Sequence, residues 1–153
     1  MSSPLSSKPF EVLLVEDNPG DVRLAKEALR EGAAPKNIHV AEDGVAAVEH
    51  LRSLSGARDR ELPDLVLLDL NLPKMNGHEV LEEIRRDERL CLIPVVVFTS
   101  SAAAPDIRQA YRAGASCYVT KPSGYAGLVD TIKRIERFWL SVATLPSRAG
   151  QDD

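Results

Sequence analysis

With 153 residues, 44% of them hydrophobic, the chain can bury one core of ordinary size, and length alone favours a single domain. A formal charge of −4, no long basic run and few aromatics exclude nonspecific attachment to nucleic acid or to an anionic membrane surface. Neither a basic start with an apolar block nor a run of about 18 apolar residues occurs, so a soluble, cytoplasmic protein without a membrane span is expected.

Residues 1–9 are rich in Ser and Pro and read as a mobile tail, as do residues 146–153; the folded unit is expected over 10–145. Within it the hydrophobic period switches repeatedly between that of a strand and that of a helix. EVLLVED precedes GDVRLAKEALREG, NIHVAE precedes DGVAAVEHLRSLSG, and DLVLLDL precedes GHEVLEEIRRDERL. PVVVFTS then precedes PDIRQAYRAG, and CYVTKP precedes a helix expected from about Tyr125 to Ala143. The charged segment SGARDRELP between the second helix and third strand reads as a surface loop. Continuous apolar runs such as Leu65–Leu68 and Val95–Phe98 imply strands buried on both faces, as in a parallel sheet covered by helices on both sides. Right-handed crossovers then leave few topologies. The expected fold is α/β, a doubly wound five-stranded parallel sheet of flavodoxin-like order 2-1-3-4-5 with five helices, its ligand site at the carboxyl ends of the strands near the switch between strands 1 and 3.

That topology collects a set of polar residues on one rim. Glu16 and Asp17 end strand 1, Asp69 ends strand 3, Thr99 ends strand 4 and Lys121 follows strand 5. Three carboxylates at one site repel one another unless they share positive charge. A divalent cation would supply it, and magnesium suits hard oxygen donors that contribute only one or two carboxylates beside a phosphate. A carboxylate, a metal, an ammonium and a hydroxyl together suit phosphoryl transfer, with Asp69 as nucleophile, Lys121 as a second positive charge and Thr99 as a hydrogen-bond donor. His39, His50 and His78 are scattered and read as surface or edge residues rather than ligands, and Cys91 and Cys117 as buried, reduced thiols.

These residues resemble the receiver domains of two-component response regulators over about residues 10–140, through Glu16-Asp17, LLDLNLPKMNG with Asp69, VVVFTSS with Thr99, and YVTKP with Lys121. The resemblance implies that Asp69 accepts a phosphoryl group from a sensor histidine kinase. Magnesium would be held by Glu16, Asp17, Asp69 and the backbone carbonyl of Asn71. It further implies a cis Lys121–Pro122 peptide and a switch in which Thr99 moves toward the phosphoryl group while the ring of Tyr118 turns inward behind it. Such a domain is a signalling switch and not an enzyme. No DNA-binding or enzymatic module is expected, and KRIER, residues 133–137, reads as a mixed-charge helix face.

RFWLSVATLP, residues 137–146, together with EDNPGDVRLAKEAL, resembles more narrowly the small stand-alone regulators that partner bacterial and cyanobacterial phytochromes. Leu128, Ile132, Ile135, Trp139 and Val142 recur at helical spacing, and the sheet should cover the first half of that stripe. Phe138, Trp139, Leu140 and Leu145 lie near or past its reach, so the last helix and its extension are expected to form a symmetric homodimer; the alternative is a long helix folded back on its own domain. Three other functions compete. An aspartyl-phosphate phosphatase of the haloacid-dehalogenase type would want a second Asp where Asn71 stands, and a flavodoxin-like flavin binder would not put Glu16-Asp17 against a phosphate. A receiver used only for docking would not need the complete site.

Overall fold

The computed structural model describes residues 8–150. Among them, apolar runs and helical patterns alternate in the expected order. The strands are β1 (Phe10–Val15), β2 (Lys36–Ala41), β3 (Leu65–Leu68), β4 (Val95–Thr99) and β5 (Cys117–Thr120). They alternate with α1 (Pro19–Arg30), α2 (Gly44–Ser55), α3 (Gly77–Arg86), α4 (Ala104–Arg112) and α5 (Tyr125–Arg137). All strand pairs are parallel, in the order β2-β1-β3-β4-β5. The direction of winding therefore reverses between β1 and β3, where the acidic residues stand.

The two-residue period of β1 divides the core. Val12 and Leu14 pack with Leu29, Ile132 and Ile135 under α1 and α5, whereas Leu13 and Val15 pack with Leu51, Leu81 and Ile84 under α2 and α3. Each such large side chain, fully buried, contributes about 1.5–3 kcal/mol of transfer free energy. Helix starts are fixed by side chains that satisfy orphan backbone donors. Asn18 accepts the N–H of Asp21 at 3.0 Å, Asp43 that of Ala46 at 2.7 Å, and Asn76 and Glu79 form a reciprocal capping box on α3. Gly44 opens α2 against the β3–α3 loop: a Cβ there would lie 1.8 Å from the carbonyl oxygen of Met75, so only glycine allows this approach. In the same loop Lys74 adopts φ 70°, uncommon for a residue with a side chain, and pairs with Asp43 at 3.6 Å.

The C-terminal region departs from expectation in three ways. The last helix is α-helical only to Arg137 and continues as a π-helical turn, Phe138–Val142, closed by the N–H of Ala143 donating to the carbonyl of Phe138 at 2.7 Å. That turn shifts the buried face by one residue. Leu140, not Val142, follows Ile135 into the core, Leu145 is buried as well, and Val142 is 68% exposed. The fold thus covers Leu140 and Leu145 itself. Second, Glu136 is not on a solvated face. It is buried, pairs with Lys36 at 3.3 Å, and sits where a Cβ on Gly32 would clash with its carboxylate. On the same helix Lys133 pairs with Glu31 and Arg134 with Asp130.

Third, Pro146–Arg148 forms a 3₁₀ turn within the folded body, although residues 146–153 read as a tail. The cause is buried Asp64, whose carboxylate needs partners. It accepts the N–H of Glu11 at 2.7 Å, the hydroxyl of Ser147 and the guanidinium of Arg148 at 3.4 Å. Arg148 also donates to the carbonyls of Lys8 and Pro9 and lies 4.0 Å above the ring of Phe10, which ties residues 8 and 9 down too. The rest of the expected tails, residues 1–7 and 151–153, lies outside the described residues. Cys91 and Cys117 are free and half-buried rather than buried, and among the described residues no helix is long and apolar enough to cross a membrane.

Candidate phosphoacceptor site

The sheet aligns the site through its own hydrogen bonds. Beyond the last paired residue of β1, β3 and β5 the ladder runs one step further: Glu16 N–H donates to Ala41 O at 3.0 Å, Asp69 N–H to Val15 O at 3.1 Å, and Lys121 N–H to Thr99 O, the last residue of β4, at 2.7 Å. Glu16, Asp69, Thr99 and Lys121 consequently leave the sheet at one level, on its carboxyl edge. Glu16, Asp17 and Asp69 each bring a carboxylate oxygen within 4.8 Å of the others; Glu16 and Asp69 are buried and Asp17 is exposed. No histidine joins this cluster among the described residues. His39 on β2 and His50 on α2 instead lie against each other, ring centroids 5.6 Å apart.

Both oxygens of Asp69 are held. Oδ1 accepts the Thr99 hydroxyl at 2.8 Å and the Asn71 N–H at 3.1 Å, and Oδ2 faces the Lys121 ammonium at 3.1 Å. Lys121 Nζ also donates to Glu16 Oε1 at 2.6 Å and Asp21 Oδ2 at 2.8 Å. Burial works against a charged lysine here, but the hydrogen bonds to Asp21 and Glu16 and the charge of Asp69 outweigh it, so the ammonium titrates above its ordinary value. The carboxyl of Glu16 is pushed up to about 7, chiefly by burial and then by the charge of Asp69, with the Lys121 hydrogen bond pulling the other way.

Among the described residues no peptide bond is cis, so Lys121–Pro122 is trans. The preference for trans before proline is only about 0.5–1 kcal/mol, and the lysine reaches the acids from the trans arrangement. The Tyr118 hydroxyl donates to the Ser101 carbonyl at 2.8 Å, two residues beyond Thr99, and the Ser101 hydroxyl in turn donates to Asp106 at 2.5 Å. The backbone N–H of Tyr118 donates to the hydroxyl of Tyr111 on α4. Ring, loop and site are therefore one connected hydrogen-bonded unit. Asp21 was not among the residues expected here; its signal is that it stands in the first turn of the helix that follows the acidic pair, facing the same rim.

A doubly wound parallel sheet with an acidic pocket, a hydroxyl and a lysine at its carboxyl edge defines a receiver domain. In agreement, the family model described as "Response regulator receiver domain" matches residues 12–133, and the chain belongs to that family. Among proteins it resembles is the probable methanogenesis regulatory protein FilR2 of Methanothrix harundinacea, 43% identical over 141 residues, which are 92% of this chain and 90% of the relative. The structure resembles that of the phosphorylated cyanobacterial phytochrome response regulator RcpA, with TM-score 0.85 and 44% identity over 91% of this chain and 99% of that one. It also resembles the Mn(2+)-bound form of response regulator Rcp1, with TM-score 0.84 and 40% identity over 90% of this chain and 99% of that one. Rcp1 of Synechocystis is 39% identical over 142 residues, 93% of this chain and 97% of the relative.

Proposed function

We propose that the protein is a response regulator whose Asp69 accepts a phosphoryl group from a sensor histidine kinase, and that the modification switches its conformation and self-association. The observation that carries this reading is the convergence on one aspartate of Thr99, Lys121 and the acidic pair. An Asp69 carboxylate oxygen attacks the phosphorus of the kinase phosphohistidine, the phosphorus–nitrogen bond breaks, and its electron pair leaves with the imidazole; the product is an acyl phosphate. Lys121 neutralises charge on the transferring group and Thr99 donates to one of its oxygens. The oxygen donors of Glu16, Asp17 and Asp69, with the Asn71 carbonyl, suit magnesium, which when bound supplies further charge neutralisation. The role is that of a switch, not of an enzyme turning over a substrate.

The added charge of about −1.5 to −2 acts on the unit formed by Thr99, Ser101 and Tyr118, and the rearrangement reaches β5 through Tyr118 and α4 through Tyr111. The likeness to RcpA supports a phytochrome as the kinase. Intact mass after incubation with a small acyl-phosphate donor tests the chemistry. A single phosphoryl adduct is expected with magnesium and none with chelator; no adduct from the folded, metal-saturated protein would leave only a docking role.

The self-association proposed here is a homodimer through the end of the last helix. Phe138 is 49% exposed and Val142 68%, both on the π turn, while Leu140 and Leu145 are buried and Trp139 is half-buried. Light scattering at high micromolar concentration should give twice the monomer mass, and Phe138→Ser with Val142→Ser should halve it. A monomeric wild type, phosphorylated or not, would reject this surface.

A further inference from the structure

The ammonium of Lys121 has three N–H donors and three carboxylate partners, of which only one is the lysine's alone. Glu16 and Asp69 belong to the acidic trio, and each has other partners: Glu16 Oε2 accepts the N–H of Asn18, and Asp69 is held by Thr99 and Asn71. Asp21 lies outside the trio. Among the described residues its carboxylate pairs with Lys121 and with no other group. The backbone from which it reaches is fixed, because its N–H is the donor capped by Asn18 at the start of α1. It approaches the lysine from α1, whereas Asp69 approaches from the end of β3 and Glu16 from the end of β1.

We infer that Asp21 is the positioning residue of Lys121, holding its ammonium beside Asp69 from the first turn of α1, a role that rests on the phosphoacceptor reading for its consequence. Glu16 and Asp69 are committed to charge exchange at the site, so the pairing with Asp21 is what keeps the lysine aimed there when either changes partner. A carboxylate at this position also favours the helix dipole, and a loss of stability alone would not separate the two effects. The coupling between Asp21 and Lys121 separates them.

The test is a double-mutant cycle on the full chain: wild type, Asp21→Asn, Lys121→Ala and the double variant. The first readout is urea unfolding in chelator, which involves no metal and no phosphoryl group. Asp21→Asn should raise the unfolding equilibrium constant of wild type about five-fold, as expected for a partly exposed charged pair, and change that of Lys121→Ala clearly less, because there only the helix-dipole attraction and the repulsion from Glu16 and Asp69 remain, and these have opposite sign. The second readout is the initial rate of adduct formation from an acyl-phosphate donor at saturating magnesium. Asp21→Asn should slow wild type about five-fold and have no effect on Lys121→Ala. Equal effects in the two backgrounds, or a faster rate in both through lost repulsion of the anionic donor, would overturn the positioning role. Should wild type take no phosphoryl group at all, the phosphoacceptor reading fails, and the unfolding cycle still decides whether Asp21 holds the lysine.

Discussion

Asp69→Asn is expected to abolish the phosphoryl adduct completely while leaving the fold intact. The carboxylate is the only group at the site with an acceptor oxygen held by both a hydroxyl and a backbone N–H and with a cation opposite its second oxygen. An amide is a poor nucleophile toward phosphorus, so no rearrangement of neighbours restores the reaction. The structural cost is small. The amide oxygen can still accept from Thr99 and Asn71, Lys121 keeps Glu16 and Asp21, and one member of a mutually repelling trio is removed. Stability should therefore stay within about 1 kcal/mol of wild type by urea unfolding. Intact mass on both proteins, under conditions that modify wild type stoichiometrically, checks the claim. A persistent adduct in Asp69→Asn would move the acceptor elsewhere, with Asp17 the nearest exposed carboxylate of the trio.

The rim was legible in the sequence because a parallel sheet obeys a simple rule: residues that follow apolar runs meet at one edge. Glu16, Asp69 and Lys121 each follow such a run and Thr99 ends one, and the ladder bonds that extend one residue past β1, β3 and β5 bring them level. Asp21 escaped because the rule concerns strands, while its place depends on the turn by which α1 leaves the rim, set by the Asn18 cap. The C-terminal region escaped for a different reason. Helical periodicity put Val142 in the apolar stripe and Leu140 near or past the reach of the sheet; with the π-helical turn Leu140 is buried and Val142 exposed, and nothing in FWLSV signals that turn. Glu136 is a buried acid whose partner, Lys36, lies far away in sequence, so charge patterning alone read it as part of a solvated face; the pairing of buried Asp64 with Arg148 is equally distant and was not anticipated. The Lys121–Pro122 peptide escaped because the sequence places the proline without fixing its isomer.

The same connectivity bears on the switch. Thr99 touches Asp69, and two residues later the Ser101 carbonyl accepts the Tyr118 hydroxyl, so a displacement of the β4–α4 loop cannot leave the ring where it is without losing that bond. Tyr118 in turn donates its backbone N–H to Tyr111, which carries the constraint onto α4. In the proposed switch a charge gained at Asp69 would reach α4 through three contacts, each a hydrogen bond and each removable by a single substitution.

Lys121→Ala should have the second large effect, on stability before signalling. The side chain is only 9% exposed and neutralises Glu16 and Asp69, which are as deeply buried. Removing one partner of a buried charge cluster costs about 3 kcal/mol, so the variant in chelator at neutral pH should lose about that much in urea unfolding. The pH dependence follows from the directions of the shifts. Lys121 titrates above its ordinary 10.5, so its contribution is fully present at neutral pH and is lost only as pH rises through that higher value. The Glu16 carboxyl, pushed from 4.5 up to about 7, binds more protons folded than unfolded; wild-type stability therefore falls as pH rises across that window. Without the lysine the upward pull of burial and of Asp69 is opposed only by the Asn18 N–H, and the fall should begin at the same pH, run further and end lower. Magnesium should stabilise the variant more than wild type, because the cation no longer competes with an ammonium for the same oxygens. Metal binding thus survives while the lysine's link to the transferred group does not, and phosphorylation of the variant should leave its self-association unchanged. Unaltered stability in chelator at pH 7, or a wild-type response to phosphorylation, would show that the ammonium is dispensable to the acidic cluster it contacts.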